Sequence, residues 1–141
     1  MEKKELIFRF ERGAFFGGTL CYEIEKSKVD ISLSCHNMNG FAWMKNYQIS
    51  IPEAELIELF RVLEPIRKWK NDYQTENMIL DGYGWSISYN YAGNKVASKG
   101  YEKYPADYRR VVKEIQCKIE DLCKKYDPDY DEMGKEERIN L

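Results

Sequence analysis

Trp85-Ser86-Ile87-Ser88-Tyr89-Asn90-Tyr91 decides the fold. Large apolar side chains alternate with small polar ones, and successive residues of a strand point to opposite faces. This stretch reads as a strand with one buried and one solvated face. Ala92-Gly93-Asn94-Lys95 reads as the turn after it, and Val96 to Gly100 as the returning strand. Tyr104-Pro105-Ala106-Asp107 leads into a helix on which Tyr108, Val111, Val112, Ile115, Ile119, Leu122 and Tyr126 share an arc of roughly 100°. Cys117 falls on the opposite face of that helix, and Asp127-Pro128 ends it.

Working back from the strand, Met78 to Leu80 reads as a short strand before an Asp81-Gly82-Tyr83-Gly84 turn, and Asn71 to Thr75 as a polar loop. Leu56, Leu59, Phe60, Leu63 and Ile66 follow helical spacing. Ser50 or Ile51 is the expected cap, with Pro52 in the first turn and acids after it. Pro65 lies inside the run and predicts a break near Glu64, because its ring removes one backbone bond and clashes one turn back. Nearer the start, Leu6, Phe8 and Phe10 alternate, as do Leu20, Tyr22 and Ile24, and then Val29, Ile31, Leu33 and Cys35. Tyr47, Ile49 and Ile51 close a fourth strand. Four strands, a helix, about three strands and a final helix predict an α+β fold, an antiparallel sheet with two helices on one face. Residues 1–126 are expected to form one domain, and 127–141 a loose acidic tail carrying six acids against two bases.

The segment Asp81-Gly82, Trp85, Ile87, Tyr89, Gly93, Ser98, Gly100, Tyr104, Pro105 resembles a pattern in a small uncharacterised bacterial family. There an Asp-Gly turn enters a Trp-containing strand, and a Gly turn, a Ser-x-Gly segment, a Tyr-Pro and a C-terminal helix follow. The resemblance covers about the last third of the folded chain and implies a hairpin followed by a helix. It implies no catalytic residue. Where the pattern has Ser-Gly-Ser-Asn-Ala, this chain has Ser98-Lys99-Gly100-Tyr101-Glu102-Lys103.

Composition limits the function classes. The 141 residues are 43% hydrophobic and 33% charged, a balance that excludes a disordered chain. No apolar run approaches the ~18 residues of a membrane span. Met1-Glu2-Lys3-Lys4-Glu5 is mixed in charge, so the expectation is no secretion signal, a cytoplasmic location and reduced Cys21, Cys35, Cys117 and Cys123. Net charge is −2, and the body up to residue 126 is near neutral, which is not a strong nucleic-acid footprint.

His36 is the sole histidine and shares the polar phase of its strand with Ser32 and Ser34. Cys21 shares the polar phase of its own strand, and the pattern leaves open whether the two meet. A cysteine nucleophile needs a base within ~3 Å; nothing in the spacing demands one, so no catalytic residue is assigned and an enzyme is the less favoured reading. No metal or other cofactor is expected. There is no Cys-x-x-Cys, and adjacent Cys35 and His36 point to opposite faces. Gly13 to Gly18 joins two strands, so no helix start awaits a phosphate. Its Phe15 and Phe16 either tuck under the sheet or form a contact.

The second face of the sheet is the informative feature. Ser32, Ser34, His36, Ser86, Ser88 and Asn90 lie on it, with Glu23 and Glu25, and small polar side chains lose little entropy on meeting a partner. The preferred expectation is a non-enzymatic protein-interaction module, with the profile of an inhibitor, immunity or adaptor protein of bacterial or mobile-element origin. It would use this face, Phe15 and Phe16, or a sheet edge, with a protein partner or a second copy. The alternative is nucleic-acid binding through Arg67, Lys68, Lys70, Arg109, Arg110 and Lys113, where cations neighbour aromatics. A Cys21- or His36-dependent enzyme is the third reading.

Overall fold

A computed structural model describes residues 4–14, 18–38, 47–74 and 83–127. Phe15, Phe16, Met78 to Leu80 and the tail after Asp127 lie outside them. The described residues form β1 (Glu5–Ala14), β2 (Gly18–Lys26), β3 (Ile31–Met38), β4 (Tyr47–Ser50), α1 (Ala54–Leu63), β5 (Asp72–Gln74), β6 (Tyr83–Tyr91), β7 (Asn94–Tyr101) and α2 (Tyr108–Tyr126). The seven strands make one open sheet in the order β4-β3-β2-β1-β6-β7-β5. Every pairing is antiparallel except β5 with β7.

Register explains the core. Phe8 lies between Ile24 and Tyr89, and Phe10 between Tyr22 and Ile87. Leu33 extends the first row to Ile49, and Cys35 extends the second. Both helices pack on this face, giving the predicted α+β architecture. Leu56, Leu59 and Leu63 of α1 meet Val111, Ile115, Ile119 and Leu122 of α2 and the sheet in one cluster, each at most 2% exposed. Burying each such side chain contributes about 1.5–3 kcal/mol.

The α-helix ends at Leu63 and gives way to a 3-10 turn over Glu64–Lys68, as Pro65 requires. The turn keeps Ile66 fully buried. Gly93 and Ala92 both have positive φ, 83° and 52°, and join β6 to β7 in two residues. Such a turn matches the twist of the strands it joins.

Four expectations need correction. The cap of α1 is Glu53, not Ser50 or Ile51. The Ile51 amide donates to Ile31 O at 2.9 Å, so the sheet ladder holds the chain extended past Ser50. Val29 does not join the inward row of β3; it is 78% exposed in the turn before it. The Ser27 hydroxyl organises that turn by accepting from the amides of Val29 and Asp30. Leu6 is also exposed, while Ile7 is buried, because a bulge between Leu6 and Phe8 reverses the phase of β1. Finally, the polar run 71–75 contains β5. Tyr73 anchors it by packing on Trp85, with ring centroids 5.9 Å apart. The Lys99 amide donates to Asn71 O at 3.1 Å and the Ser98 hydroxyl to Lys70 O.

Glu55 ties the two helices together. Its carboxylate accepts from Tyr126 Oη at 2.7 Å, Lys125 Nζ at 3.0 Å and Lys118 Nζ at 3.4 Å. Tyr126 first, then Lys125, pull its pKa down to about 2, against burial and with help from Lys118. A pKa depressed by folding stabilises fully above the unfolded value of about 4.3, and that stabilisation is lost as pH falls through the folded value. Because Lys125 is exposed, screening limits the contribution to about 1–2 kcal/mol. Glu55→Gln should therefore lose that much at neutral pH and show a shallower decline between about pH 5 and pH 2. Urea unfolding across that range checks it; parallel curves for the two proteins would refute the assignment.

Candidate functional site

The helices leave the other face of the sheet uncovered by any described element. One row across it runs His36, Cys21, Glu11, Ser86, Lys99, and the next runs Gln48, Ser34, Glu23, Arg9, Ser88, Ala97. Ser32 and Asn90 stand in the same phase. The six predicted serine, histidine and asparagine residues therefore share one surface, at different heights. Ser32 and Ser34 are only 9% and 8% exposed. They form a floor, while the imidazole of His36 is 45% exposed. Arg9 forms ion pairs with Glu11 and, at 3.9 Å, with Glu23. Glu23 belongs to the predicted polar face; Arg9 and Glu11 of β1, which that pattern does not single out, complete the ridge.

Cys21 and His36 are direct partners across β2 and β3. The open question is settled by register: they do face each other. Glu23 Oε1 lies 3.8 Å from both Cys21 Sγ and His36 Nε2. The cluster nevertheless disfavours a nucleophile. Burial first, and then the carboxylates of Glu23 and Glu11, push the Cys21 thiol up to about 11 despite the opposing Arg9. The thiolate is the reactive species, and it is scarce near neutral pH. Cys35 sits behind the sheet with Cys123 of α2, whose hydrogen bond, followed by burial, raises its pKa. Cys117 alone is exposed among the four cysteines. Alkylation near pH 8 should thus modify exposed Cys117 first and buried Cys21 at least about tenfold more slowly. Mass mapping of the adducts checks the order; equal rates at Cys21 and Cys117 would return the thiol to candidacy as a nucleophile. Among the described residues no cluster of three or more His, Cys, Asp or Glu is placed to hold a metal ion.

Where β1 and β6 pair glycine with glycine, Gly13 with Gly84, the uncovered face dips. The hollow measures about 360 Å³, with Glu11, Thr19, Gln74, Ser86 and Lys99 at its rim.

The basic candidates divide. Arg67, Lys68 and Arg110 line one groove of about 830 Å³ beside the 3-10 turn, and Arg109 lines a different cleft. Lys70 and Lys113 are exposed and line neither. The groove's charge is largely answered internally. Arg67 meets Glu64 at 3.5 Å and Asn94 Oδ1 at 2.6 Å, and Arg110 meets Asp107 at 3.4 Å and Glu114 at 3.5 Å. Trp69 is 9% exposed and donates its indole N–H to Asp107 at 2.8 Å, so it offers no free ring for a base.

One residue escaped the pattern reading. Arg12 continues the inward phase of Phe8 and Phe10, between Leu20 and Trp85. The alternation contained that signal, since it needed only one more step along β1.

No described helix is long and apolar enough to cross a membrane. Comparison with protein-family models, curated proteins and solved structures found no match.

Proposed function

We propose that this chain is a non-enzymatic protein-interaction module that docks a protein partner on the uncovered face of its sheet. The observation that supports this is the continuity of that face. One largely polar row crosses the sheet from β4 to β7 and a second from β3 to β7, with no described element over them. A serine floor and a ridge of Arg9, Glu11, Glu23 and His36 provide both flatness and a charge pattern for selecting a partner. The raised thiol pKa of Cys21 weighs against catalysis there. The paired charges of the Arg67–Arg110 groove weigh against nucleic acid. An inhibitor, immunity or adaptor role fits this reading.

The test is capture from lysate with and without nuclease, followed by mapping. A stoichiometric protein partner should survive nuclease and lose at least about tenfold in affinity with Glu23→Arg/Ser86→Arg/Ser88→Arg, since like charges across an interface cost several kcal/mol. Lys68→Glu/Arg110→Glu should leave it bound. The reverse pattern, or partners lost with nuclease, would transfer the site to the basic groove.

A further inference from the structure

A cleft of about 460 Å³ opens on the opposite side of the sheet, where α2 begins. Arg12 and Arg109 flank it, and Tyr83, Tyr104 and Tyr108 form its walls and floor. Three features of the cleft point to a ligand. The first is unanswered positive charge. Arg12 is half-buried in an inward position, and neither it nor Arg109 forms an ion pair with any carboxylate among the described residues. The second is the start of the 19-residue α2. It has no side-chain cap and no acid in its first turn, where Arg109 and Arg110 stand instead. The Asp107 carboxylate at the cap position is turned to Trp69 and Arg110. Cations at the positive end of a helix are unfavourable, and backbone amides there suit an anion.

The third feature is the Tyr108 hydroxyl. The residue is 7% exposed, lines the cleft, and its oxygen is buried without a hydrogen-bond partner. Tyr83 stands beside it and, after burial, raises the phenol's pKa through its charge and a loose side-chain hydrogen bond that falls short of full hydrogen-bonding geometry. A buried hydroxyl without a partner is rare in folded proteins and costs roughly 1–3 kcal/mol. Its oxygen is sealed from solvent, so an acceptor oxygen from a ligand would satisfy it on displacing the side chains that close it off.

The walls define the rest of the ligand. Tyr104 is 38% exposed, and its ring lies 4.8 Å from Tyr108 and 6.0 Å from Tyr83, centroid to centroid. A partly exposed ring in an aromatic corner is a surface for stacking. Guanidinium groups recognise phosphate oxygens by paired N–H donors. We propose that the cleft binds a small planar ring carrying a phosphate, the phosphate between Arg12 and Arg109 at the start of α2 and the ring on Tyr104. The cleft volume lies in the range of small-ligand sites. This site is separate from the sheet face proposed above and stands or falls independently of it.

Calorimetric titration of the full chain tests it, with phenyl phosphate, adenosine and uridine monophosphate, the matching nucleosides and inorganic phosphate as probes. Expected is one-to-one binding of a ring-bearing phosphate, at least tenfold tighter than inorganic phosphate or the nucleoside. It should weaken with salt and fall tenfold or more in Arg109→Glu, whose exposed position keeps folding out of question. Tyr104→Leu should bring the ring-bearing probe down to the affinity of inorganic phosphate. Preference for phenyl phosphate over the nucleotides would assign an aryl phosphate, and the converse a nucleotide. No binding by any probe at millimolar concentration would overturn the proposal. So would equal affinity for inorganic phosphate, or binding unchanged in Arg109→Glu.

Discussion

Trp85→Ala should lower the unfolding free energy by about 3–5 kcal/mol, the largest single loss expected in this molecule. Trp85 is 4% exposed on β6, at the centre of a cluster of aromatic rings. Its centroid lies 5.0 Å from Tyr108, 5.7 Å from Trp69, 5.9 Å from Tyr73 and 6.5 Å from Tyr104. Those four come from the segment after α1, from β5, from the helix entry and from α2, so one indole joins the sheet to everything at this end. Its Nε1 also donates to Lys103 O at 3.0 Å. Truncation removes the transfer energy of a large ring and leaves a cavity that rings held by four separate segments cannot easily close. It also leaves the Lys103 carbonyl without that donor. Equilibrium urea unfolding measures the loss. A change below about 1 kcal/mol would mean that the cluster collapses around the gap and that its packing is not tight.

Gly100→Ala should cost about 3 kcal/mol, at the upper end for adding one methyl group to a packed site. Gly100 pairs with Trp85 across β6 and β7 and with Tyr73 across β5 and β7. A Cβ there would lie 2.5 Å from Trp85 Nε1, 2.7 Å from Trp85 Cε2 and 2.6 Å from Lys103 O. Two of those atoms form the indole hydrogen bond itself, so the methyl group would displace the bond as well as the ring. Glycine is needed here for close approach, not for an unusual backbone angle. The two substitutions should be strongly coupled. In a Trp85→Ala background, Gly100→Ala should cost at least about 1 kcal/mol less than in the native chain. The relief is partial because the Lys103 carbonyl stays in place. A double-mutant cycle by urea unfolding reads the coupling; strict additivity would show that the clash is absorbed elsewhere.

Much of this architecture can be read from residue order. The alternation from Trp85 to Tyr89 and the helical arc from Tyr108 to Leu122 are buried as their periods require, while Tyr91 at the strand end is half-buried. Pro65 ends α1 where its chemistry demands. These features are legible because each depends on a strand or helix period, or on one proline. Features that depend on a neighbour are not. Tyr73 makes a strand of a polar run only because Trp85 is there to receive it. Ser50 loses its place as a cap because the amide of the next residue is taken by Ile31. The inserted Ile7 reverses one end of β1, since a single extra residue exchanges the two faces of a strand.

The candidate sites divide in the same way. The polar phases of β3 and β6 identify Ser32, Ser34, His36, Ser86, Ser88 and Asn90 as one set of outward residues from periodicity alone. Which of them stand high enough to touch a partner depends on Arg9, Glu11 and Glu23, whose long side chains rise between the serines. That Cys21 faces His36 is a matter of register between strands, and period-2 patterns are silent on how one strand slides against another. The cleft of Arg12, Tyr104 and Arg109 is further still from local pattern, because β1, the helix entry and α2 are distant in the chain and meet there only in the tertiary structure. Residue order thus determined the class of fold and the two faces of its sheet, because periodicity and burial act within each segment. Tertiary packing decided register, side-chain height and the clefts, because these arise from distances between segments far apart in the chain.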